Sequence, residues 1–298
     1  MSGPGPQGAT LGLAETADVH RFAHEAMATV FEVRSVNPDA RYAGQAAHAA
    51  FALLDRLEQE LSRFVANSDV SRVNELRAGR AARVSPETME CLVIARHLFD
   101  LTDGAFDVSI GSGLDRLELD VDALAVHARG DGVRLDLGGI GKGFAVDQMA
   151  ALLEEWGLER SLVHGGWSSV LALEPPPDKD GWPLSMSAPG VSAAGPLARI
   201  SARQRAMSAS GTRKGDHILD PRTGRAVAEG AIWVGVPRSP EEGQSPAAVA
   251  DGLSTAFMVL SAGRIEELCR TNPGLETWRL EGTALNQVAL AARAPREE

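Results

Sequence analysis

The spacing of apolar residues along the chain predicts four helices, because alanine, leucine, valine and aromatic side chains recur every three or four positions. The predicted helices cover residues 45–61, 85–100, 144–156 and 248–261. Ser85 is a suitable N-cap for the second helix, and Pro86 fits its first position. Gly157 is expected to close the third helix, and Gly263 is expected to stop the fourth.

Runs in which apolar residues alternate with polar ones predict strands between and after these helices. The runs cover residues 27–35, 133–137, 160–173 with a break at the glycine pair 165–166, further segments up to 206, and 277–290. Several neighbouring runs lie too close in sequence to be joined by a crossover helix. The pattern therefore favours an α+β fold over a purely parallel sheet.

The order of these elements predicts one domain over residues 21–298, because no long linker interrupts them. Two lobes with the site between them are the alternative arrangement. Residues 1–20 are expected to form a flexible tail, since the chain begins with a segment rich in glycine and proline.

Composition narrows the function classes. The chain has 298 residues, of which 44% are apolar, which is enough for a sizeable core. Its net charge of -11 disfavours non-specific binding to nucleic acid, and any bound phosphate group needs local help from cations or backbone amides. Cys91 and Cys269 are far apart and form no metal motif, so we expect both to be buried as small apolar residues.

Targeting signals are not visible in the sequence. The first ten residues contain no basic start followed by an apolar run, and no stretch approaches the roughly 18 apolar residues of a membrane span. As it stands, the sequence predicts a cytoplasmic protein. A sequence trimmed of its leader would look the same, which leaves an extracytoplasmic location open.

A glycine cluster at residues 135–143 places small residues between a predicted strand and a helix N-terminus. Backbone amides can approach an anion closely there, and the helix dipole favours negative charge. The glycine spacing fits neither the dinucleotide fingerprint nor a Walker loop. The alternative is a tight turn in which Lys142 is merely solvated.

Asp251 and Thr255 lie four residues apart on the fourth predicted helix, so their oxygens project from one face. A carboxylate and a hydroxyl suit Mg2+, which takes oxygen ligands and usually keeps waters or substrate phosphates. The alternative is an aspartate that stabilises the helix N-terminus through the dipole.

Of the seven histidines, His217 has the sequence context that best suits a catalytic residue. It precedes a proline–glycine turn at 220–224 and follows a serine-rich segment, 208–211, so it could act as a general base. The alternative is a structural or solvated histidine. The loop that contains Gly104, Ala105, Phe106 and Asp107 is expected to be a packed turn.

Six segments in this order resemble the motifs of the ApbE family, the FAD:protein FMN transferases. They are Met27-Ala28-Thr29, the segment from Leu61 to Asn74, Gly104-Ala105-Phe106-Asp107, the segment from Asp136 to Gly143, the segment from His217 to Gly224, and the segment from Ala250 to Ala256. The resemblance implies an ApbE-like (T-fold-like) α+β fold with mixed, largely antiparallel sheets and packed helices. The sequence departs from the family pattern at Ala28, where glycine is usual, and in the loop before His217, which is longer in many relatives.

The resemblance also implies a role for each matching residue. Mg2+ would be held by Asp251, Thr255 and the backbone carbonyl of Gly141, and His217 would activate the acceptor hydroxyl. Phe64 would lie beside the isoalloxazine ring. The flavin pocket would further be lined by Met27, Gly104, Ala105, Phe106 and Asp107, and the adenosine diphosphate portion would lie near Asp136 and Lys142.

The implied reaction is Mg2+-dependent cleavage of FAD, with attachment of FMN to a Ser or Thr hydroxyl of a target flavoprotein and release of AMP. Contact with a membrane would come only through a membrane-bound target. Two alternatives stay open: an FAD pyrophosphatase that yields FMN and AMP, and an FAD-binding protein without catalysis.

Overall fold

The computed structural model describes residues 10–13, 19–188, 195–212, 218–227, 230–239, 245–281 and 284–289. Its helices are α1 (Ala40–Leu61), α2 (Asp69–Asn74), α3 (Pro86–Leu101), α4 (Gly141–Glu155), α5 (Pro246–Phe257) and α6 (Ala262–Thr271), with a short 3-10 turn at Leu114–Arg116. Within the described residues, no helix is long and apolar enough to cross a membrane.

The strands form three sheets. They are β1 (Thr10–Leu13), β2 (His20–Ala26), β3 (Thr29–Ser35), β4 (Ala81–Arg83), β5 (Leu117–Asp120), β6 (Ala125–Ala128), β7 (Ser161–Gly165), β8 (Ser169–Ala172), β9 (Trp182–Ser187), β10 (Ala198–Ala202), β11 (Arg205–Gly211), β12 (Ala231–Pro237), β13 (Glu276–Glu281) and β14 (Ala284–Ala289). The central sheet has the order β14-β13-β12-β11-β8-β7-β3-β2, and its neighbouring strands are antiparallel. The α+β prediction is confirmed.

Two cores lie on the two faces of the central sheet. The larger core packs α1, α3, α4 and α5 around buried residues such as Phe31, Phe144 and Phe257. The smaller core contains Trp182 and Trp233, where the small sheet β1-β9-β10 covers the other face. Because both faces of the central sheet are covered, every residue of β7 and β8 is buried, including the polar residues Ser161, His164 and Ser169.

Several sequence predictions hold. The first helix begins at residue 40, where Asp39 caps it, and so extends the predicted 45–61 by one turn or more. The second and third helices match, and Gly157 adopts φ +72° directly after the third. Residues 160–173 contain the hairpin β7–β8, and the region predicted at 277–290 corresponds to the paired strands β13 and β14. Both cysteines are buried and free.

Other sequence predictions are wrong. Residues 133–137 form no strand, although Val133, Leu135 and Leu137 are buried in alternation. Gly263 does not stop a helix: α5 ends earlier, and Ser261 caps α6, which the sequence did not predict. The strand predicted at 27–35 begins two residues later than expected, since β3 begins at residue 29 after a turn. Residues 10–13 lie inside the segment predicted as a tail and pair with β9 in the small sheet. The division into a tail over residues 1–20 and one domain over residues 21–298 stays a prediction.

Candidate functional site

The glycine turn, residues 136–142, runs into the first turn of α4. The carbonyl of Leu137 accepts hydrogen bonds from the amides of Ile140 (3.0 Å) and Gly141 (2.7 Å), which reverses the chain just before the helix. The amide of Gly138 donates to Oδ1 of Asp136 (2.9 Å). The turn is therefore held by its own backbone and by the side chain of Asp136, and it leaves the start of α4 facing α5.

Asp251 lies at this junction and is only 3% exposed. Its Oδ2 accepts a hydrogen bond from the amide of Gly143 (3.0 Å), and its Oδ1 accepts one from the hydroxyl of Ser208 on β11 (3.1 Å). The ammonium group of Lys142 lies 3.7 Å from the same Oδ2. One carboxyl group thus joins the glycine turn, a strand of the central sheet and a cationic side chain.

Hydroxyl groups continue the polar lining along α5. Thr255 Oγ1 donates to the carbonyl of Asp251 (3.3 Å) and lies 3.5 Å from the hydroxyl of Ser210. The hydroxyls of Ser210 and Ser254 are 2.8 Å apart. Ser254 and Thr255 lie within one helical turn of Asp251, and Ser210 reaches both from β11, so a hard cation would meet oxygen atoms there.

At Gly143, in the first turn of α4, there is no room for a side chain. A Cβ at Gly143 would lie 2.2 Å from the carbonyl oxygen of Ala247, so α4 and α5 touch through backbone. A Cβ at Gly139 would lie 3.5 Å from Thr255 Oγ1, an ordinary contact. The glycine at 143 is therefore required for close packing of the two helices, whereas a Cβ at position 139 would be in ordinary contact with Phe106 and Thr255.

A first cavity of about 530 Å³ opens beside these residues. Its volume is in the range of small-molecule sites. Site residues predicted from the sequence that line it are Ala105, Phe106, Asp107, Asp136, Lys142, Asp251 and Thr255. The glycine turn, the 104–107 loop and α5, which are distant in sequence, meet at this cavity.

A second cavity of about 380 Å³ adjoins the first. Met27, Phe64 and Gly141 line it, and Asp136 and Lys142 line both cavities. Phe64 is 82% exposed and offers a free ring face. The glycine turn therefore borders both cavities, and its polar residues Asp136 and Lys142 line each of them.

Gly104 lines a third cavity, beside Asp103 and Arg222, rather than the first two. Gly141 lines the second cavity, whereas Asp251 and Thr255 line the first. His217 lies outside the described residues; Ile218, which directly follows it, lines the first cavity.

The turn predicted at 220–224 is present and borders the first cavity through Pro221. The amide of Thr223 donates to the carbonyl of Asp220 (3.1 Å), as in a type I turn. The side chain of Arg222 hydrogen-bonds to the Asp220 carboxylate, which lowers the pKa of that carboxyl. The turn therefore carries an ionised aspartate and is held in one shape.

The family model for ApbE matches residues 27–278 of the chain, which is most of its length. The chain belongs to the ApbE family. It is 30% identical to the FAD:protein FMN transferase of Treponema pallidum, over 77% of this chain and 76% of the relative. It is 26% identical to the FAD:protein FMN transferase of Salmonella typhimurium, over 82% of this chain and 79% of the relative.

Solved ApbE structures share the fold. The apo flavinyl transferase ApbE of Pseudomonas stutzeri aligns with a TM-score of 0.74 and 23% identity, over 90% of this chain and 94% of that one. The flavin transferase ApbE of Vibrio cholerae aligns with a TM-score of 0.77 and 20% identity, over 90% and 96%. This ApbE chain therefore has the architecture that its motifs imply.

Several residues of this ApbE site were missed from the sequence. The guanidinium of Arg63 lies 4.4 Å from the centre of the Phe64 ring and 2.9 Å from the carboxylate of Asp136. Ser208 and Ser210 were seen only as neighbours of His217. Trp167 lines the first cavity and is 54% exposed. For Arg63, the sequence offered one indication, a cationic residue next to an aromatic one. No local sequence pattern identifies the two serines or the tryptophan as site residues.

The donor set of this ApbE chain fits Mg2+. Among the described residues, no group of three or more histidine, cysteine or acidic side chains could enclose a metal ion. Mg2+ does not need such a cage, because it is usually bound by one or two carboxylates together with waters and substrate phosphates. One buried carboxylate beside a hydroxyl and an open cavity is such an arrangement.

Proposed function

We propose that this chain is an FAD:protein FMN transferase that cleaves FAD, attaches FMN to a hydroxyl of a target flavoprotein and releases AMP. The observation that carries the proposal is the pair of adjoining cavities that share Asp136, Gly138 and Lys142. A dinucleotide has two ends joined by a diphosphate, and the pair of cavities offers two spaces joined by a polar ridge. The relatives named above, which have this activity, support the same conclusion.

The diphosphate of FAD is proposed to lie over the glycine turn. Lys142 lies there on the first turn of α4, where the helix dipole also favours an anion. In the second cavity, Met27 and the free face of Phe64 are proposed to contact the planar ring of the flavin. Ala105, Phe106 and Asp107 form a wall of the first cavity, with Gly104 behind them in the loop.

Mg2+ is proposed to be held by Asp251 and Thr255, with the backbone carbonyl of Gly141 as a third protein ligand. When bound, Mg2+ would neutralise the negative charge of the phosphate oxygens as the diphosphate is cleaved. The chain prepares this position by burying Asp251 and by orienting its carboxylate with bonds from Gly143 and Ser208. Lys142 can move from Asp251 to a phosphate oxygen, since its ammonium group is on a flexible stem.

His217 is proposed to accept the proton of the attacking Ser or Thr hydroxyl, a contribution of typically ~100- to 10,000-fold in rate. Ile218 and Leu219, which follow it, line the first cavity and support this placement. Trp167 at the edge of this cavity is half exposed, so the acceptor segment of the target would approach past it.

The test combines the protein with FAD, Mg2+ and a target protein that carries the family's acceptor motif. We expect covalent flavin fluorescence on a denaturing gel, together with one AMP for each flavin attached. Free FMN and AMP without labelled target would instead indicate a pyrophosphatase. Tight FAD binding without AMP would indicate a protein that has lost catalysis.

The matched variant for this test is Asp251→Asn, which keeps the shape of the side chain and removes its charge. We expect AMP release to fall at least ~100-fold, because a ligand of the reacting state is lost. The melting temperature should change far less, since asparagine still offers an oxygen to Ser208 or Gly143. Parallel loss of folding and activity would contradict the proposed role.

A further inference from the structure

Helices α4 and α5 cap each other. A carboxyl group on each helix accepts hydrogen bonds from backbone amides in the first turn of the other. The amide of Gly143, the third residue of α4, donates to Asp251 on α5 (3.0 Å). In return, the amides of Ala247 and Ala248, in the first turn of α5, donate to Oδ1 (3.0 Å) and Oδ2 (2.8 Å) of Asp147 on α4. Each helix thus supplies the acceptor that the other helix lacks.

Neither helix start is capped by its own side chain. Ile140 precedes α4 and has no side-chain acceptor, and the hydroxyl of Ser245 before α5 donates to Glu90 (3.2 Å) instead of accepting from the helix. The first amides of a helix need partners when they are buried. For α5, Asp147 provides two of them from outside the helix.

The contact between the helices leaves little room for movement. Asp147 is only 7% exposed, and Gly143 packs its backbone against the carbonyl of Ala247. Asp251 follows Ala247 by one helical turn, and Thr255 follows by two. A rotation of the first turn of α5 would therefore turn both residues away from the glycine turn.

We propose that Asp147 is a positioning residue of the site. It fixes the first turn of α5 against α4 and so sets the direction in which Asp251 and Thr255 face the glycine turn. Asp147 lines none of the three cavities described above, so it acts through α5 and not by touching a substrate. This inference rests on the proposed metal-binding role of Asp251 and Thr255.

The direct test is binding of Mn2+ alone, followed by the loss of the free-ion EPR signal, in the unaltered protein and in Asp147→Asn. Asparagine keeps one acceptor oxygen but replaces the second oxygen by an NH2 group, which only donates, so one of the two helix amides loses its partner. We expect Mn2+ binding to weaken at least ~10-fold, as is typical when a residue that orients metal ligands is lost. The Mg2+ concentration for half-maximal FAD cleavage should rise by a similar factor.

Ser261→Ala is the matched control. Ser261 caps α6, and its hydroxyl oxygen accepts from the amide of Arg264 (3.4 Å) away from the three cavities. We expect this variant to lower the melting temperature and to leave Mn2+ binding unchanged. A purely structural role for Asp147 predicts that Asp147→Asn behaves in the same way, with normal Mn2+ binding below its melting temperature. That result would overturn the inference.

Two further readouts separate the possible failures. If the unaltered protein neither binds Mn2+ nor cleaves FAD with Mg2+, the proposed function is overturned, and the inference falls with it. If Asp147→Asn does not fold, amide exchange in the unaltered protein tests the same coupling. Because coupling between two sites is reciprocal, Mn2+ should slow exchange at Ala247 and Ala248 at least ~10-fold. Unchanged exchange at these two amides would overturn the inference.

Discussion

At the scale of single residues, the turn between β2 and β3 places two residues with strained backbone conformations beside the site. Met27 (φ +49°) and Ala28 (φ +57°) both adopt left-handed conformations, as a two-residue hairpin turn requires. Both residues also line the second cavity. The sequence placed these residues in a strand, because the pattern of apolar positions carries no information on the sign of φ.

Ala28→Gly should stabilise the protein. Glycine removes the left-handed strain, and its greater freedom in the unfolded chain offsets part of the gain, so we expect about 0.5–1 kcal/mol. Thermal unfolding measures the effect. The control is Gly157→Ala, because Gly157 has φ +72° and a Cβ there would meet nothing within 4 Å; it should destabilise through backbone strain alone. A lower melting temperature for Ala28→Gly would contradict the explanation.

Asn74 explains why residues 133–137 alternate without forming a strand. Its side-chain amide donates to the carbonyl of Leu135 (3.0 Å), and its Oδ1 accepts from the amide of Leu135 (2.5 Å). The side chain thus replaces a neighbouring strand. The alternation of burial was visible in the sequence, but a partner some sixty positions earlier in the chain was not.

At the scale of elements, the helices show where local signals suffice. Helices α1, α3 and α4 follow from apolar spacing and from caps next to them in sequence. The boundary between α5 and α6 does not follow from local signals. Gly263 suggested the end of one long helix, whereas Ser261 in fact caps the start of a second helix. The site residues of α4 and α5 were predicted individually. The hydrogen bonds by which each helix caps the other were not, because they depend on how the two helices pack.

The helix pair also predicts a pH dependence of stability. Burial raises the pKa of Asp147 to about 8, although the amides of Ala247 and Ala248 and the charge of Arg238 oppose this, while Glu90 adds to the rise. The folded state therefore keeps a proton that the unfolded state releases above its ordinary pKa of 3.8. This contribution to stability is fully present below pH ~4 and is lost as the pH rises to ~8.

Urea unfolding between pH 5 and 8.5 checks this dependence. The unfolding free energy of the unaltered protein minus that of Asp147→Asn should decrease as the pH rises, by at most about 1.4 kcal/mol per pH unit. Asparagine does not titrate, so other groups cancel in the difference. A difference that is constant or that increases with pH would show that the carboxyl is ionised in the folded protein.

At the scale of the whole molecule, the site is assembled from segments spread over most of the chain. The turn at 27–28, the 104–107 loop, the glycine turn and α5 meet at two cavities on either side of residues 136–142. The sequence identified these segments through their family resemblance. It did not divide them between two spaces, because that division depends on how the sheet and helices bring the segments together.

Because the protein has a net negative charge, binding of an anionic substrate depends on the cationic side chains in the site. The protein carries a net charge of -11, and FAD is itself an anion, so long-range attraction is absent. Arg63 and Lys142 are the cations that line the first two cavities among the described residues. Arg63 lies beside both the Phe64 ring and Asp136, where a dinucleotide is proposed to cross from one cavity to the other.

Arg63→Ala should therefore raise the KM for FAD about 5- to 10-fold and change kcat little, since charge-assisted contacts to an anion are lost in the ground state and the transition state alike. Steady-state kinetics of AMP release measures both constants. Arg56→Ala removes the same charge from a residue that lines none of the three cavities and pairs with Glu87 (2.7 Å). Equal KM values for the two variants would mean that net charge, and not position, matters.

The half-exposed indole of Trp167 gives the molecule a built-in optical probe. Of the five tryptophans, Trp182 and Trp233 are buried in the smaller core, Trp156 and Trp278 are partly covered, and Trp167 lies at the edge of the first cavity. A flavin seated nearby would absorb the light that this indole emits. Quenching of its red-shifted emission would then report occupancy in real time, without a label.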